Sequence, residues 1–362
     1  MYSVKRVAQH IRRVTTLIAL LGLCLSSMAQ TNKKPSTKEL SLNVLQFNIW
    51  QEGTIVAGGF DAIIDEIIRT KADLITLSEV RNYNGTSLDK RLIEALKAKG
   101  YTFYSERSED SGILSRYPIV QQWAFFPVKD DRGSITKALI DVKGTMVALY
   151  SAHLDYRNCS LYLPRGYDGS TWDELPAPIT NTATIAEDNL KSQRDEAIDA
   201  FIADAKIERS KGRIVMLGGD FNEPSHQDWV EATKNLYDHR GVVMPWRNTL
   251  ELSKNGFVDA FRKQYPNPLT HPGFTFPADN PAVAIQKLAW SPKADDRDRI
   301  DFIFYHPDSR LRLKGVTIVG PKGSVAKNQR IVETSEDVFD IPSGVWPTDH
   351  KAVLASFRLT TR

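Results

Sequence analysis

Short apolar runs of strand length recur at 42–47, 74–77, 146–150, 214–217, 301–305 and 352–357. They alternate with longer stretches, 60–70, 88–99 and 190–208, in which apolar residues return every three or four positions. The first pattern suits strands whose two faces alternate, the second helices with one apolar stripe. Strands alternating with helices predict an α/β fold. No repeat, low-complexity tract or linker divides residues 41–362, so one domain is expected there, behind a short leader at 30–40. Segment 156–189 breaks the rhythm: it is long, rich in Pro, Gly and Thr, and without periodicity. It predicts a functional loop or insertion, and it holds four aromatics, Tyr156, Tyr162, Tyr167 and Trp172.

The first 29 residues differ from the rest. Lys5, Arg6, Arg12 and Arg13 precede an apolar run over 17–25, and Ser27-Met28-Ala29 supplies small residues where cleavage is expected. This reads as an export signal; the run is too short for the ~20 residues a membrane span needs. The chain is 41% hydrophobic and 25% charged, an ordinary balance for a protein that buries a sizeable core. Losing a signal with four Lys/Arg and no Asp/Glu takes the formal charge from +3 to −1. The totals therefore advertise neither a polyanion nor an anionic membrane as partner, although a local basic groove stays open. Of the two cysteines, Cys24 leaves with the signal, so Cys159 has no partner within the chain and stability must come from the core.

The sharpest local signal is Gly219-Asp220-Phe221-Asn222-Glu223-Pro224, directly after the apolar run 214–217. In an extended segment residues two apart share a face, so Asp220 and Asn222 aim a carboxylate and an amide at one point while Phe221 turns to the core. An Asx-type turn closing a strand is the plainer reading of that motif alone. Other strand ends repeat the arrangement with Asn48, Glu79 and His153, and near the C-terminus Asp301 opens a strand while Thr348-Asp349-His350 precedes the last one. Hydrolysis of a phosphate ester needs a cation, an oriented water and donors for developing charge, and this set supplies groups for each. Glu79, Asn48 and Asp349 are hard oxygen ligands of the kind Mg²⁺ prefers, and no Cys/His cluster of zinc spacing competes. Asp301 is suited to hold one ring nitrogen of His350 and leave the other for the phosphate.

In order, Asn48-Ile49-Trp50, Leu77-Ser78-Glu79, Gly112-Ile113-Leu114-Ser115-Arg116-Tyr117-Pro118-Ile119, Ser151-Ala152-His153-Leu154-Asp155, Gly219 to Pro224, Arg299-Ile300-Asp301 and Thr348-Asp349-His350 resemble the motifs of the endonuclease/exonuclease/phosphatase superfamily. The resemblance spans almost all of residues 41–362 and implies a four-layer α/β/β/α sandwich of two mixed β-sheets flanked by helices. It implies a metal held by Glu79 and Asn48 with Asp349 nearby, Mg²⁺ or else Mn²⁺. Asp220 would orient or deprotonate water, Asn222 and His153 would hold phosphate oxygens, and His350, supported by Asp301, would act from the opposite side. Arg132 resembles a substrate-contacting arginine. Trp50 stands where some relatives carry an acid, and Tyr104 and Tyr117 are the candidates for the active-site tyrosine of repair-type relatives.

The expected activity is metal-dependent hydrolysis of a phosphodiester that is small or linked to lipid or sugar, by an exported monomer. A secreted deoxyribonuclease and a non-catalytic binding module on the same fold are the alternatives. Tyr162, Tyr167 and Trp172 are expected to form a wall of the substrate site, a structural flap being the competing reading.

Overall fold

Alternation of apolar residues along the strands generates two sheets that bury three layers of core. A computed structural model describes residues 38–361, and residues 39–361 form one compact unit. The export signal expected over 1–29 lies outside the described residues. The expected leader is shorter than 30–40 at its inner end, because the first strand already begins at Lys38 and Leu40 packs against the core.

The first sheet is built from β1 (Lys38–Asn48), β2 (Leu74–Val80) and β3 (Asp110–Ser115), joined by helices α1 (Gly59–Arg69) and α2 (Leu88–Ala98). The second begins with β4 (Ile119–Phe126), β5 (Gly133–Val142) and β6 (Thr145–Leu154). After the insertion come α3 (Thr182–Asn189), α4 (Arg194–Ser210), β7 (Ile214–Asp220), α5 (Arg247–Lys254), β8 (Val258–Asp259), α6 (Ala260–Gln264) and β9 (Asp301–Tyr305). The chain closes with β10 (Leu311–Val319), β11 (Gly323–Ala326), β12 (Gln329–Val332), β13 (Phe339–Asp340) and β14 (Ala352–Thr361). The six-stranded sheets run β13-β10-β14-β1-β2-β3 and β4-β5-β6-β7-β9-β8, with β11–β12 a separate hairpin. Both sheets mix parallel and antiparallel pairs: β1–β2 and β6–β7 are parallel, β2–β3 and β7–β9 antiparallel. The four-layer expectation is met.

Side-chain parity explains the layers. In β1, Leu42 and Val44 point between the sheets, where they meet Ile140, Leu149 and Met216 of the other sheet. Leu45 and Phe47 point the other way, onto Ile63, Ile64 and Ile67 of α1 and Leu92 and Leu96 of α2. On the far side, Tyr150 and Leu217 bury under Ile198 and Phe201 of α4. Each such aliphatic or aromatic side chain contributes about 1.5–3 kcal/mol by leaving water. Gly218 lets the sheets close, since a Cβ there would lie 2.3 Å from Thr76 Oγ1.

The helix expected over 190–208 begins four residues later, behind a turn that separates it from α3. Leu190 is half exposed, and residues 190–193 turn because Asp155 Oδ2 accepts the Gln193 N–H at 2.9 Å and Ser192 Oγ caps Arg194. Helix α4 therefore starts only at Arg194.

Candidate active site

The same parity collects polar groups at one end of the inter-sheet layer. Residues 42, 44, 46 and 48 share a face of β1; 214, 216, 218 and 220 share one of β7. The inward row thus ends in Asn48 on β1, His153 on β6, Asp220 on β7 and Asp301 on β9. His153, Asp220 and Asp301 are register partners across three adjacent strands.

Glu79 breaks the rule. Ile75 and Leu77 of β2 face the helices, so Glu79 should as well. Instead the β2–β3 ladder shifts between Ser78 and Val80, and Glu79 adopts φ 69°, which swings its carboxylate round to Asn48. Asn48 Nδ2 donates to Glu79 Oε1 at 3.1 Å and to Asp220 Oδ2 at 2.9 Å, and the Gln51 N–H donates to Glu79 Oε2 at 3.0 Å. Trp50, Gln51 and Glu52 follow with φ of 38°, 55° and 62°, a concentration of left-handed backbone of the sort found at functional sites.

Two histidine–carboxylate pairs flank Asp220. His350 Nδ1 bonds Asp301 Oδ2 at 2.9 Å, leaving Nε2 3.7 Å from Asp220 Oδ2. His153 Nδ1 bonds Asp110 Oδ1 at 2.7 Å, and Arg81 meets that same oxygen at 2.5 Å. Burial works against the charge on both rings, but Asp301 and Asp220 outweigh it and lift His350 to about 10, while Asp110 lifts His153 to about 9. Burial also raises Asp220, to about 6 against the pull of His350, and Asp349, to about 7 with Glu79 and Asp220 adding to it. The result is a buried acid beside two imidazoliums.

Proximity alone groups Asp220, Asp301 and His350, whose ligand atoms lie within 4.8 Å. His350 and Asp301 are already spent on each other, however, which suits a charge pair better than a metal. Glu79 and Asp349 both line the cleft, and Asp349 is only 3% exposed and makes no salt bridge among the described residues. Clustered carboxylates of this kind fit a hard divalent cation. Asn48 departs from the expected ligand set: its Oδ1 accepts the Trp50 N–H at 2.9 Å and its nitrogen faces the acids, so in this orientation it buttresses them.

Glu79, His153, Asp220, Asp349 and His350 line a cleft of about 400 Å³, with Asn48, Asp110 and Asp301 behind them. Of the insertion, Tyr156, Tyr162 and Trp172 reach its wall, while Tyr167 lies behind it with its hydroxyl accepting the Lys293 N–H at 3.0 Å. The insertion also packs its own core, with Tyr162, Tyr167 and Ile185 against Trp229 and Trp246, so the wall and flap readings describe one segment. Arg132 is held off the wall by Asp155 at 3.0 Å and by the Lys191 carbonyl. Tyr104 and Tyr117 border a separate depression. Asn222, at φ 48°, ties Nδ2 to the Leu154 carbonyl at 2.9 Å and receives the Cys159 thiol on its own carbonyl. Sequence reasoning missed Arg81, Asp110, Trp290 and Asp296. Only Arg81 had a signal, two residues after Glu79.

The sequence profile of the Endonuclease/Exonuclease/phosphatase family matches residues 45–350. The chain belongs to that family. Family members are phosphoester hydrolases. A curated but uncharacterised protein of Caenorhabditis elegans is 27% identical over 352 residues, covering 94% of this chain and 99% of that one. Among solved structures, truncated C. elegans TDP2 superposes with a TM-score of 0.50 at 17% identity, covering 88% of this chain and 97% of that one. A 3′ phosphatase from Neisseria bound to a product DNA hairpin gives 0.48 at 16% identity, covering 87% and 98%.

Proposed function

We propose that the chain is a divalent-metal-dependent phosphodiesterase acting on a small ester whose leaving side bears a ring or other apolar substituent. The observation that carries this reading is the continuity of the acid–histidine cluster with an aromatic wall, Trp50, Tyr156, Tyr162, Trp172, Phe276 and Trp290, in one cleft. Glu79 and Asp349 would hold the cation, taken to be Mg²⁺ with Mn²⁺ as substitute, which when bound would draw charge from a phosphoryl oxygen. Asp220, fixed by Asn48 Nδ2 and by the Asn222 N–H on Oδ1 at 2.9 Å, accepts the proton of the attacking water. A pKa near 6 suits a base at neutral pH. His153 presents Nε2 to a non-bridging oxygen, Asn222 offers its second amide N–H, and His350, kept charged by Asp301, offsets negative charge from the other side.

The charges on the wall favour a small substrate over a polynucleotide. Among the described residues Arg81 is the one Lys or Arg on it, and Asp110 and Asp131 already face that guanidinium. A nucleic-acid groove gains most of its affinity from several phosphate contacts. Export remains the reading of the N-terminus, with Gln30 expected as the first residue of the native protein by mass spectrometry. The decisive experiment is a panel with Mg²⁺: bis-p-nitrophenyl phosphate, p-nitrophenyl phosphate, single- and double-stranded DNA, and sphingomyelin. Turnover of the small diester above the others is expected. Efficient DNA cleavage without it would establish the deoxyribonuclease reading instead, and no turnover of anything the binding module.

A further inference from the structure

The cleft holds more negative charge than a phosphate site uses. Asp296 lines it, 3% exposed, and among the described residues forms no ion pair. Its Oδ2 accepts the Ser291 hydroxyl at 2.7 Å, and Arg165, the guanidinium that bears on it, is claimed by Asp298 at 2.6 Å. Beside Ser291 is Trp290, whose ring lies 5.0 Å from that of Trp172. Trp172 in turn meets Tyr162 edge-on at 6.4 Å and Tyr156 in parallel at 6.3 Å. Asp296, Tyr162, Trp172 and Trp290 line the same cleft, and among neighbouring charges Asp296 bears most on the Tyr162 hydroxyl.

We propose that the corner formed by Tyr162, Trp172, Trp290 and Asp296 binds an organic ammonium group carried by the substrate. The proposal rests on the phosphodiesterase reading of the same cleft and names its substrate class. Ring faces attract cations and tolerate the methyl groups of a quaternary ammonium, with about 0.5–2 kcal/mol per good contact. A buried carboxylate without a counter-charge is unfavourable, and an organic cation supplies one. A neutral ring stacked there would leave Asp296 uncompensated, and a second phosphate would be repelled. Burial lifts Asp296 to about 7, against the pull of the Ser291 hydroxyl and of Arg165. Tyr156 already attracts one cation, with Arg157 5.6 Å from its centroid.

The test compares two p-nitrophenyl phosphodiesters of the same shape, one with a trimethylammonioethyl group and one with the uncharged 3,3-dimethylbutyl group. The cationic ester is expected to show a kcat/KM at least about tenfold higher, the change that ~1.4 kcal/mol of differential binding gives. Asp296→Asn and Trp172→Leu should each bring that ratio towards one, a readout independent of how much variant is folded. Equal kcat/KM for the two esters in the native enzyme overturns the inference and leaves the phosphodiesterase reading standing. Should neither ester turn over, that reading fails. The corner is then judged by calorimetric titration with tetramethylammonium chloride: binding that Asp296→Asn abolishes supports it, and no binding overturns it.

Discussion

Glu79 Oε1 accepts a hydrogen bond from Asn48 Nδ2 at 3.1 Å, although strand alternation alone would turn Glu79 towards the helices. The device is the bulge between Ser78 and Val80, opposite Asp110, which puts a non-glycine residue at φ 69°. Such backbone costs on the order of 1–3 kcal/mol and persists where surrounding structure enforces it. One bulge thereby sets two elements of the site, since Asp110 is also the partner of His153.

Replacing Glu79 by Asn should therefore separate stability from function. Asparagine tolerates the left-handed region and removes one of the crowded carboxylates. In chelator, Glu79→Asn is expected to melt at or above the native temperature. Added Mg²⁺ should stabilise the native protein by RT ln(1 + [L]/Kd), raising its melting temperature, and leave the variant unmoved. Calorimetry with and without EDTA checks both halves. An equal Mg²⁺ shift in the two proteins would remove Glu79 from the metal site.

The two histidine pairs should respond differently from a core histidine. His350→Gln and Asp220→Asn are each expected to lower kcat on bis-p-nitrophenyl phosphate by roughly 10²–10⁴-fold with a native circular dichroism spectrum. Asp301→Asn should fall between these and the native enzyme, because Gln46 still reaches residue 301, at 3.3 Å from Oδ1, while the charge that lifts His350 is gone. Variants that simply melt would mark these groups as core.

The sheets and much of this cluster were legible because period-two parity is a local property. Asn48, His153, Asp220 and Asp301 lie on inward positions of strands whose apolar runs could be read directly. The bulge at Glu79 was not legible, since it depends on pairing with β3 some thirty residues away. Asp110 was hidden for the same reason. Strand β4 escaped notice as an exposed edge with a broken burial pattern, and the break before Arg194 depends on Asp155 in another element. Tyr167 and Tyr162 look alike in sequence, yet only Tyr162 reaches the cleft.

That difference is itself testable. Tyr162→Leu should raise KM for a ring-bearing diester by about tenfold, if the ring gives the ~1–3 kcal/mol of a stacking contact. Tyr167→Leu removes a hydrogen bond to the Lys293 N–H and core packing, so it should lower the melting temperature with KM little altered. Equal effects on KM would mean that the insertion moves as a whole and that the static wall misrepresents it.

Acid stability should be governed in part by His239, which is not among the residues lining the cleft. Its ring is 2% exposed and stacks on Trp229 at 3.8 Å, with Tyr237 edge-on at 5.9 Å. Burial, aided by the charge of Arg165, pushes its pKa down to about 2, whereas an unfolded histidine titrates near 6.5. The folded state thus refuses a proton that the unfolded state takes up. The stabilisation is full above about pH 6.5 and is lost as pH falls towards the folded value, at ~1.4 kcal/mol per unit. Between pH 7 and pH 4.5 the native protein should therefore lose about 2.5 kcal/mol more than His239→Phe, measured by urea denaturation at both pH values. The phenyl ring keeps the stacking and cannot titrate, which confines the difference to the proton. If both proteins lose the same amount, acid sensitivity has another source and the neutral imidazole carries none of it.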